Sequence, residues 1–181
     1  MYELDQPKVL EYKAATLDQH GAEPVAVRRE VPIDLRFHWP KALRDAGFDA
    51  SVPTAWLAEG LLMYLPADAH DRLFERVTEL SAPGSRIAAE TVGLHSAERR
   101  ERMRERLGRI AAEFGVDDTL DVGELTYEDP DRADVAEWLA AHGWRSAAVT
   151  SQDEMHRVGR AVELVDTDDD SFSRFVTAVK L

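Results

Sequence analysis

Cysteine is absent from this 181-residue chain, and with it every disulfide, cysteine-held zinc, iron–sulfur cluster and thiol nucleophile. A reducing cytoplasm suits such a chain. Long apolar runs are absent too: the longest nearly apolar stretch, Gly60 to Pro66, is far short of the roughly 18–20 residues that span a bilayer. Met1-Tyr2-Glu3-Leu4-Asp5 has no signal-peptide character, so a soluble protein is expected. Positive charge is scarce, with 22 Lys and Arg against 35 Asp and Glu and a net charge of −13. Such a surface repels phosphate backbones and anionic lipid heads, so neither nucleic acid nor a membrane is an expected partner. His20, His38, His70, His95, His142 and His156 form no H-E-x-x-H motif and no i,i+4 pair, which leaves no expected metal site. There is no G-x-S-x-G elbow, no Walker loop, and no G-x-G before Asp5.

What is present is ordinary globular composition, 44% hydrophobic and 31% charged, in a length that suits one domain. Tyr2 to Asp5 reads as a strand, and Pro7 opens a helix with Val9, Leu10 and Leu17 on one face. After Gly21, Pro24 to Val31 is rich in β-branched residues and reads as a second strand. A short helix over Trp39 to Gly47 precedes Pro53 to Glu59, an apolar run of the kind a central strand buried on both faces needs. Pro66 opens a helix with Leu73, Phe74, Val77 and Leu80 on its face, closed by Pro83-Gly84, and Ser85 to Thr91 follows as a strand.

Beyond Leu94 comes an Arg- and Glu-rich helix to about Phe114, then a polar stretch to Pro130; the whole reads as an insertion over about 95–130. Between Glu98 and Arg109 it holds six arginines and three glutamates, which suits a solvated helix or an arginine-bearing lid over an anionic substrate. Asp131 can cap a helix with Val135, Trp138 and Leu139 inward, ending at Gly143 before a strand at Trp144 to Thr150. A short helix near Gln152 to Gly159, an acidic loop from Glu163 to Asp170 and a strand at Phe172 to Val179 finish the chain. Strands alternating with amphipathic helices predict an α/β domain with a mostly parallel sheet. The last connection is too short for a full crossover, so the last strand is expected to return antiparallel.

In such a sheet, ligands sit at the carboxyl ends of the strands near the point where strand order reverses. Asp5, Asp34 and Glu59 each follow one of the first three predicted strands, and a carboxylate there can accept both hydroxyls of a ribose. Asp34 with the Leu35 amide offers an acceptor and a donor to an adenine edge. Asp5 before Gln6-Pro7 also fits a helix cap, and Asp34 also fits a turn. Glu59 stands in an apolar run and calls for a partner or a ligand. Met63 and Tyr64 lie where substrate could meet cofactor, although core packing also suits them.

Taken together, Tyr2-Glu3-Leu4-Asp5-Gln6-Pro7-Lys8-Val9-Leu10, Asp34-Leu35-Arg36 and Ala58-Glu59-Gly60-Leu61-Leu62-Met63-Tyr64-Leu65 resemble the leucine carboxyl methyltransferase-like, class I S-adenosylmethionine (SAM)-dependent methyltransferases, notably a bacterial branch of them. The resemblance implies a Rossmann-like methyltransferase sheet, mostly parallel with an antiparallel last strand, and SAM as cofactor. By it, Asp5 would hold the SAM ribose, Asp34 and Leu35 would contact the adenine, and Glu59 would line the cofactor pocket. The family carries a helical region, a first strand and a glycine-rich loop ahead of the Glu-Leu-Asp segment. None precedes Tyr2 here, so the expectation is the C-terminal part of a single methyltransferase domain, shortened by truncation or by a start assigned too far downstream. The absent strand would lie between those ending at Asp5 and Glu59, leaving edges through which the chain could self-associate.

The implied activity is methylation of a carboxylate or hydroxyl oxygen on a small molecule. A carboxylate acceptor needs no general base; for a hydroxyl, no catalytic residue is evident, His95 being the nearest candidate. The alternatives are a truncated, catalytically inactive cofactor-binding or regulatory module of the same fold, and an α/β domain that takes NAD instead of SAM.

Overall fold

The computed structural model describes residues 1–92, 105, 109, 126, 127, 132–161 and 173–181. Among them, strands and helices alternate: β1 (Tyr2–Asp5), α1 (Pro7–Gln19), β2 (Arg29–Pro32), α2 (Trp39–Asp45), β3 (Ala55–Ala58), a 3₁₀ turn (Leu62–Tyr64), α3 (Ala67–Glu79), β4 (Arg86–Val92), α4 (Val135–Ala141), β5 (Trp144–Thr150), α5 (Ser151–Arg157) and β6 (Ser173–Lys180). They form a two-stranded sheet, β1-β2, and a four-stranded sheet of order β3-β4-β6-β5. β1 and β2 pair in parallel, as do β3 and β4, whereas β6 runs antiparallel to both β4 and β5. The expected antiparallel return of the last strand is therefore present.

The four-stranded sheet is built where local signals agree. α3 begins after Pro66 and buries Ala69, Leu73, Phe74 and Val77, with Leu80 just past its end, the 3–4 spacing that puts one apolar stripe against the sheet. α4 is capped by Asp134, whose carboxylate accepts from the amides of Ala136 and Glu137 at 2.9 and 3.1 Å. Asp131, the cap expected from sequence, lies outside the described residues; a capping oxygen has to stand directly before the first turn, and Asp134 does. Gly143 follows α4 at φ +84°, a conformation open to glycine, and turns the chain into β5.

The core lies between the sheet and α2, α3 and α4, around Leu43, Phe74, Leu80, Leu139 and Trp144. Two of its indole N–H groups are bonded within the core: Trp56 donates to Ser81 Oγ at 2.8 Å and Trp144 to Thr78 Oγ1 at 2.9 Å. The C-terminal strand is tied to the same region. Lys180 Nζ donates to the carbonyls of Thr78 and Ser81 at the end of α3, and Leu181 N donates to Gly143 O.

Three local expectations are corrected. β2 begins at Arg29, not Pro24: Val25 and Val27 are exposed, and β-branched residues form a strand only where a partner and a buried face exist. On α1 only Leu10 is buried, and Val9 and Leu17 reach solvent. β3 is not buried on both faces. It is an edge of the four-stranded sheet with Leu57 74% exposed. Apart from Glu105, Arg109, Thr126 and Tyr127, the insertion over about 95–130 lies outside the described residues, as do His95 and the acidic loop from Glu163 to Asp170.

Among the described residues, β1 and β3 each have one side with no strand partner. In a parallel strand the peptide groups of alternate residues point to opposite sides. Arg29 N and Ile33 N donate to Met1 O and Asp5 O, so the peptide groups of Tyr2 and Leu4 point away from β2. On β3, Arg86 N donates to Thr54 O, so those of Ala55 and Leu57 point away from β4. The Phe48 ring stands 5.6 Å from Tyr2 and 5.5 Å from Trp56.

His70 on α3 is 1% exposed, edge-on to Phe74, with Nδ1 3.1 Å from Asp71 Oδ1. Burial holds its pKa below the ordinary 6.5; Asp71 pulls it up and the nearby Arg132 pushes it down. Between that lowered value and 6.5 the unfolded chain binds more protons than the folded one, so stability falls as pH drops through this window. Melting temperature is expected to be level above pH 7 and to decline below about 6.5, and His70→Gln should flatten that decline. Thermal melts from pH 5 to 8 check this. The same slope in both proteins would assign the decline to other groups.

Candidate functional site

The carboxyl ends of the parallel strands carry the three acids singled out by sequence. Asp5 closes β1. Gln6, not Asp5, is the residue before α1, and no side chain caps that helix. One Asp5 oxygen accepts from Gln6 N at 2.7 Å, and the other has no hydrogen-bond partner among the described residues. The cap reading of Asp5 is thereby corrected: its carboxylate stands at the strand end without a place in the helix.

Asp34 does form a turn. Its carboxylate accepts from Arg36 N at 2.9 Å and grips the Arg36 guanidinium through Nε at 3.0 Å and Nη2 at 2.5 Å. Phe37 N closes the turn on Asp34 O. The Arg36 guanidinium holds the Asp34 carboxyl below the usual carboxylate range. Leu35 packs its side chain against the core, and its peptide N–H has no acceptor among the described residues.

Glu59 follows β3. The sequence argument that a charge in an apolar run must be buried against a partner fails, because Glu59 is exposed and has no partner among the described residues. Gly60, at φ +58°, turns the chain away from the strand and donates its N–H to Glu90 Oε2 at 3.1 Å. Glu90, on β4, was not singled out from sequence; its only signal was an acid in an otherwise apolar strand. Next comes the 3₁₀ turn, anchored by buried Leu62 and Leu65, with Met63 half-buried and Tyr64 41% exposed.

A second element, also missed, joins these corners. Tyr127 donates its N–H to Met63 O at 2.9 Å, and its phenol lies beside the Arg36 guanidinium. Tyr127 is thus bonded to the corner after β3 and lies near Arg36 of the corner after β2, which puts Asp34, Leu35, Met63 and Tyr64 at one end of the molecule. Arg132 donates to the carbonyls of Leu62 and Leu65, each at 2.6 Å, and to Tyr127 O at 3.3 Å. Asp5 ends β1 and Glu59 follows β3, each at the carboxyl end of its strand.

Beside the Asp34 corner, a cavity of about 350 Å³ opens between α2 and α3, lined by Leu35, Arg36, Arg44, Arg72 and Arg76 among others. It reaches neither Asp5 nor Glu59. Most of its cations are paired with neighbouring acids, Arg36 with Asp34, Lys41 with Asp45, Arg72 with Asp68 and Arg76 with Glu79. Among the described residues no three His, Asp or Glu side chains are grouped to hold a metal ion, and no helix is long and apolar enough to cross a membrane.

A family model described as leucine carboxyl methyltransferase matches residues 1–78, the segment that holds Asp5, Asp34, Leu35, Glu59, Met63 and Tyr64. Among solved structures, a DUF574 family protein from Streptomyces avermitilis is similar at 16% identity and a TM-score of 0.57, over 99% of this chain and 64% of that one. A protein from Thermobifida fusca is similar at 20% identity and a TM-score of 0.56, over 99% and 62%. The SAM-dependent methyltransferase SibL is similar at 16% identity and a TM-score of 0.51, over 99% of this chain and 42% of its own. The chain therefore spans less than two thirds of each of these proteins. What these likenesses establish is the fold: a Rossmann-like α/β topology of the class I methyltransferase type, with a mostly parallel sheet, an antiparallel last strand and a separate two-stranded sheet at the N-terminal end.

Proposed function

We propose that this chain is the C-terminal part of a SAM-dependent methyltransferase domain that methylates a carboxylate or hydroxyl oxygen on a small molecule. The single observation that carries the reading is the placement of Asp5 and Glu59, both exposed, at the carboxyl ends of parallel strands, with one Asp5 oxygen and the Glu59 carboxylate unclaimed among the described residues. The donor set fits SAM. Asp5 has an oxygen available for ribose hydroxyls, and Glu59 lines the same crevice. Leu35 has an unclaimed N–H beside the Asp34 carboxylate, a donor and an acceptor for an adenine edge. Bound there, SAM would supply a methyl carbon activated by its sulfonium, with a neutral thioether as leaving group.

The chain's own residues have the work of positioning. A carboxylate acceptor would arrive without a proton to lose, so no base is required of this end of the sheet. Met63 and Tyr64, on the turn after Glu59, are placed to line the acceptor's side of the crevice. Among the described residues β1 and β3 each have one side without a strand partner, which supports the view that a further strand, with its loop, belongs to the complete domain. Without that strand, the 181 residues are expected to bind SAM weakly and to associate through the free edges of β1 and β3.

The test is a calorimetric titration with SAM of a protein that includes that strand. Asp5→Ala should weaken binding by roughly 1.5–3 kcal/mol, the scale of hydrogen bonds to a charged group. Unchanged affinity removes Asp5 from the site, and tight binding of NAD with none of SAM overturns the methyltransferase reading.

A further inference from the structure

The corner after β3 is held at three points. Gly60 N is fixed by Glu90 at its start and Met63 O by Tyr127 N in its middle. At its end, the carbonyls of Leu62 and Leu65 are taken by Arg132. The Leu62 carbonyl already accepts from Leu65 N at 3.3 Å, closing the 3₁₀ turn, and Leu65 O lies just past its end; the planar guanidinium fork spans both carbonyls at once, a geometry that a lysine ammonium cannot reproduce. Arg132 also holds Tyr127 O, and the Tyr127 phenol lies beside the Arg36 guanidinium. One side chain, far away in sequence and outside the matched family segment, thereby ties the turn carrying Met63 and Tyr64 to the Tyr127 segment, which lies next to the corner carrying Asp34 and Leu35.

We propose that Arg132 is a positioning residue: it sets the place of the 60–65 corner relative to the Asp34 corner and so determines how tightly an adenosyl ligand is gripped between them. The ligand half of this inference rests on the methyltransferase reading above; the clamp itself does not. A displacement of about 1 Å in such supporting residues is enough to cost binding or rate severely. Arg132→Ala removes both bonds to the turn, and Arg132→Lys keeps the charge while reaching one carbonyl at a time.

Amide hydrogen exchange on the protein without ligand tests the clamp. In Arg132→Ala the amides of Tyr64, Leu65 and Tyr127 should exchange roughly 10- to 100-fold faster, with the amides of β4 and β6 unchanged; Arg132→Lys should fall between. Wild-type exchange at 64, 65 and 127 overturns the proposal, and so does acceleration throughout β4 and β6, which would make Arg132 a general stabiliser. Calorimetry with S-adenosylhomocysteine as probe tests the ligand half. About tenfold weaker binding in Arg132→Ala, partly restored in Arg132→Lys, is expected; a loosened corner with undiminished affinity overturns it. If the wild-type protein with the further strand included does not bind this probe at all, the methyltransferase reading fails, and the exchange measurements still decide the clamp.

Discussion

A polypeptide in which a parallel strand fills the space between β1 and β3 is expected to melt roughly 10–20 °C above the 181 residues alone. The peptide groups of Tyr2 and Leu4 on one side, and of Ala55 and Leu57 on the other, point into that space. A strand placed there would pair with both rows. About four net hydrogen bonds at roughly 1 kcal/mol each, with Leu57 covered as well, amount to about 4–6 kcal/mol. For a chain of this size each kcal/mol shifts the melting temperature by about 2–4 °C. Scanning calorimetry of the shorter and longer polypeptides checks the figure. Light scattering should show the shorter one associating and the longer one monomeric. Equal melting temperatures would mean that the space is not a strand position.

Trp144→Ala is expected to remove the cooperative transition altogether. Trp144 is 2% exposed at the start of β5, and its indole N–H is the donor that Thr78 Oγ1 accepts across the core. Truncation of a buried Trp costs about 3–5 kcal/mol, against a total stability of about 5–15 kcal/mol for ordinary domains; with one side of β1 and of β3 unpaired among the described residues, a stability at the low end is expected. Trp144→Phe keeps most of the volume and forgoes only the bond to Thr78, so it should cost about 1–2 kcal/mol and retain a sharp transition. Urea unfolding followed by near-ultraviolet circular dichroism distinguishes the two. A cooperative Trp144→Ala protein would show that the four-stranded sheet is more stable than its edges suggest.

The elements legible in the sequence were those specified by their own residues. α3 announced itself because Leu73, Phe74, Val77 and Leu80 recur at helical spacing behind Pro66, and all four are buried. The antiparallel β6 followed from the shortness of its connection. Where partners distant in sequence decide, the reading ran out. Pro24 to Arg28 has the composition of a strand and no partner, so β2 starts later. The apolar β3 looked central, yet Leu57 lies exposed because no strand or helix among the described residues covers it. At the site, Asp5, Asp34 and Glu59 were visible because strand ends are visible. Glu90 and Arg132 were not, since each acts on backbone atoms 30 to 70 residues away, and no local pattern marks such a contact.

The position of β6 bears on how the molecule is made. β4 and β5 do not touch as strands; each is joined to the other only through Ser173–Lys180, which lies between them. Its end is stitched by Lys180 to α3 and by Leu181 to the turn after α4. During synthesis, every earlier element leaves the ribosome before the one that joins β5 to the rest. The nascent chain must therefore carry two incomplete sheet edges until its final strand emerges, when contacts of long sequence separation close late and in a single step. A polypeptide that ends ten residues before Leu181 lacks the whole of Ser173–Lys180, and cells are expected to treat it as unfolded and degrade it.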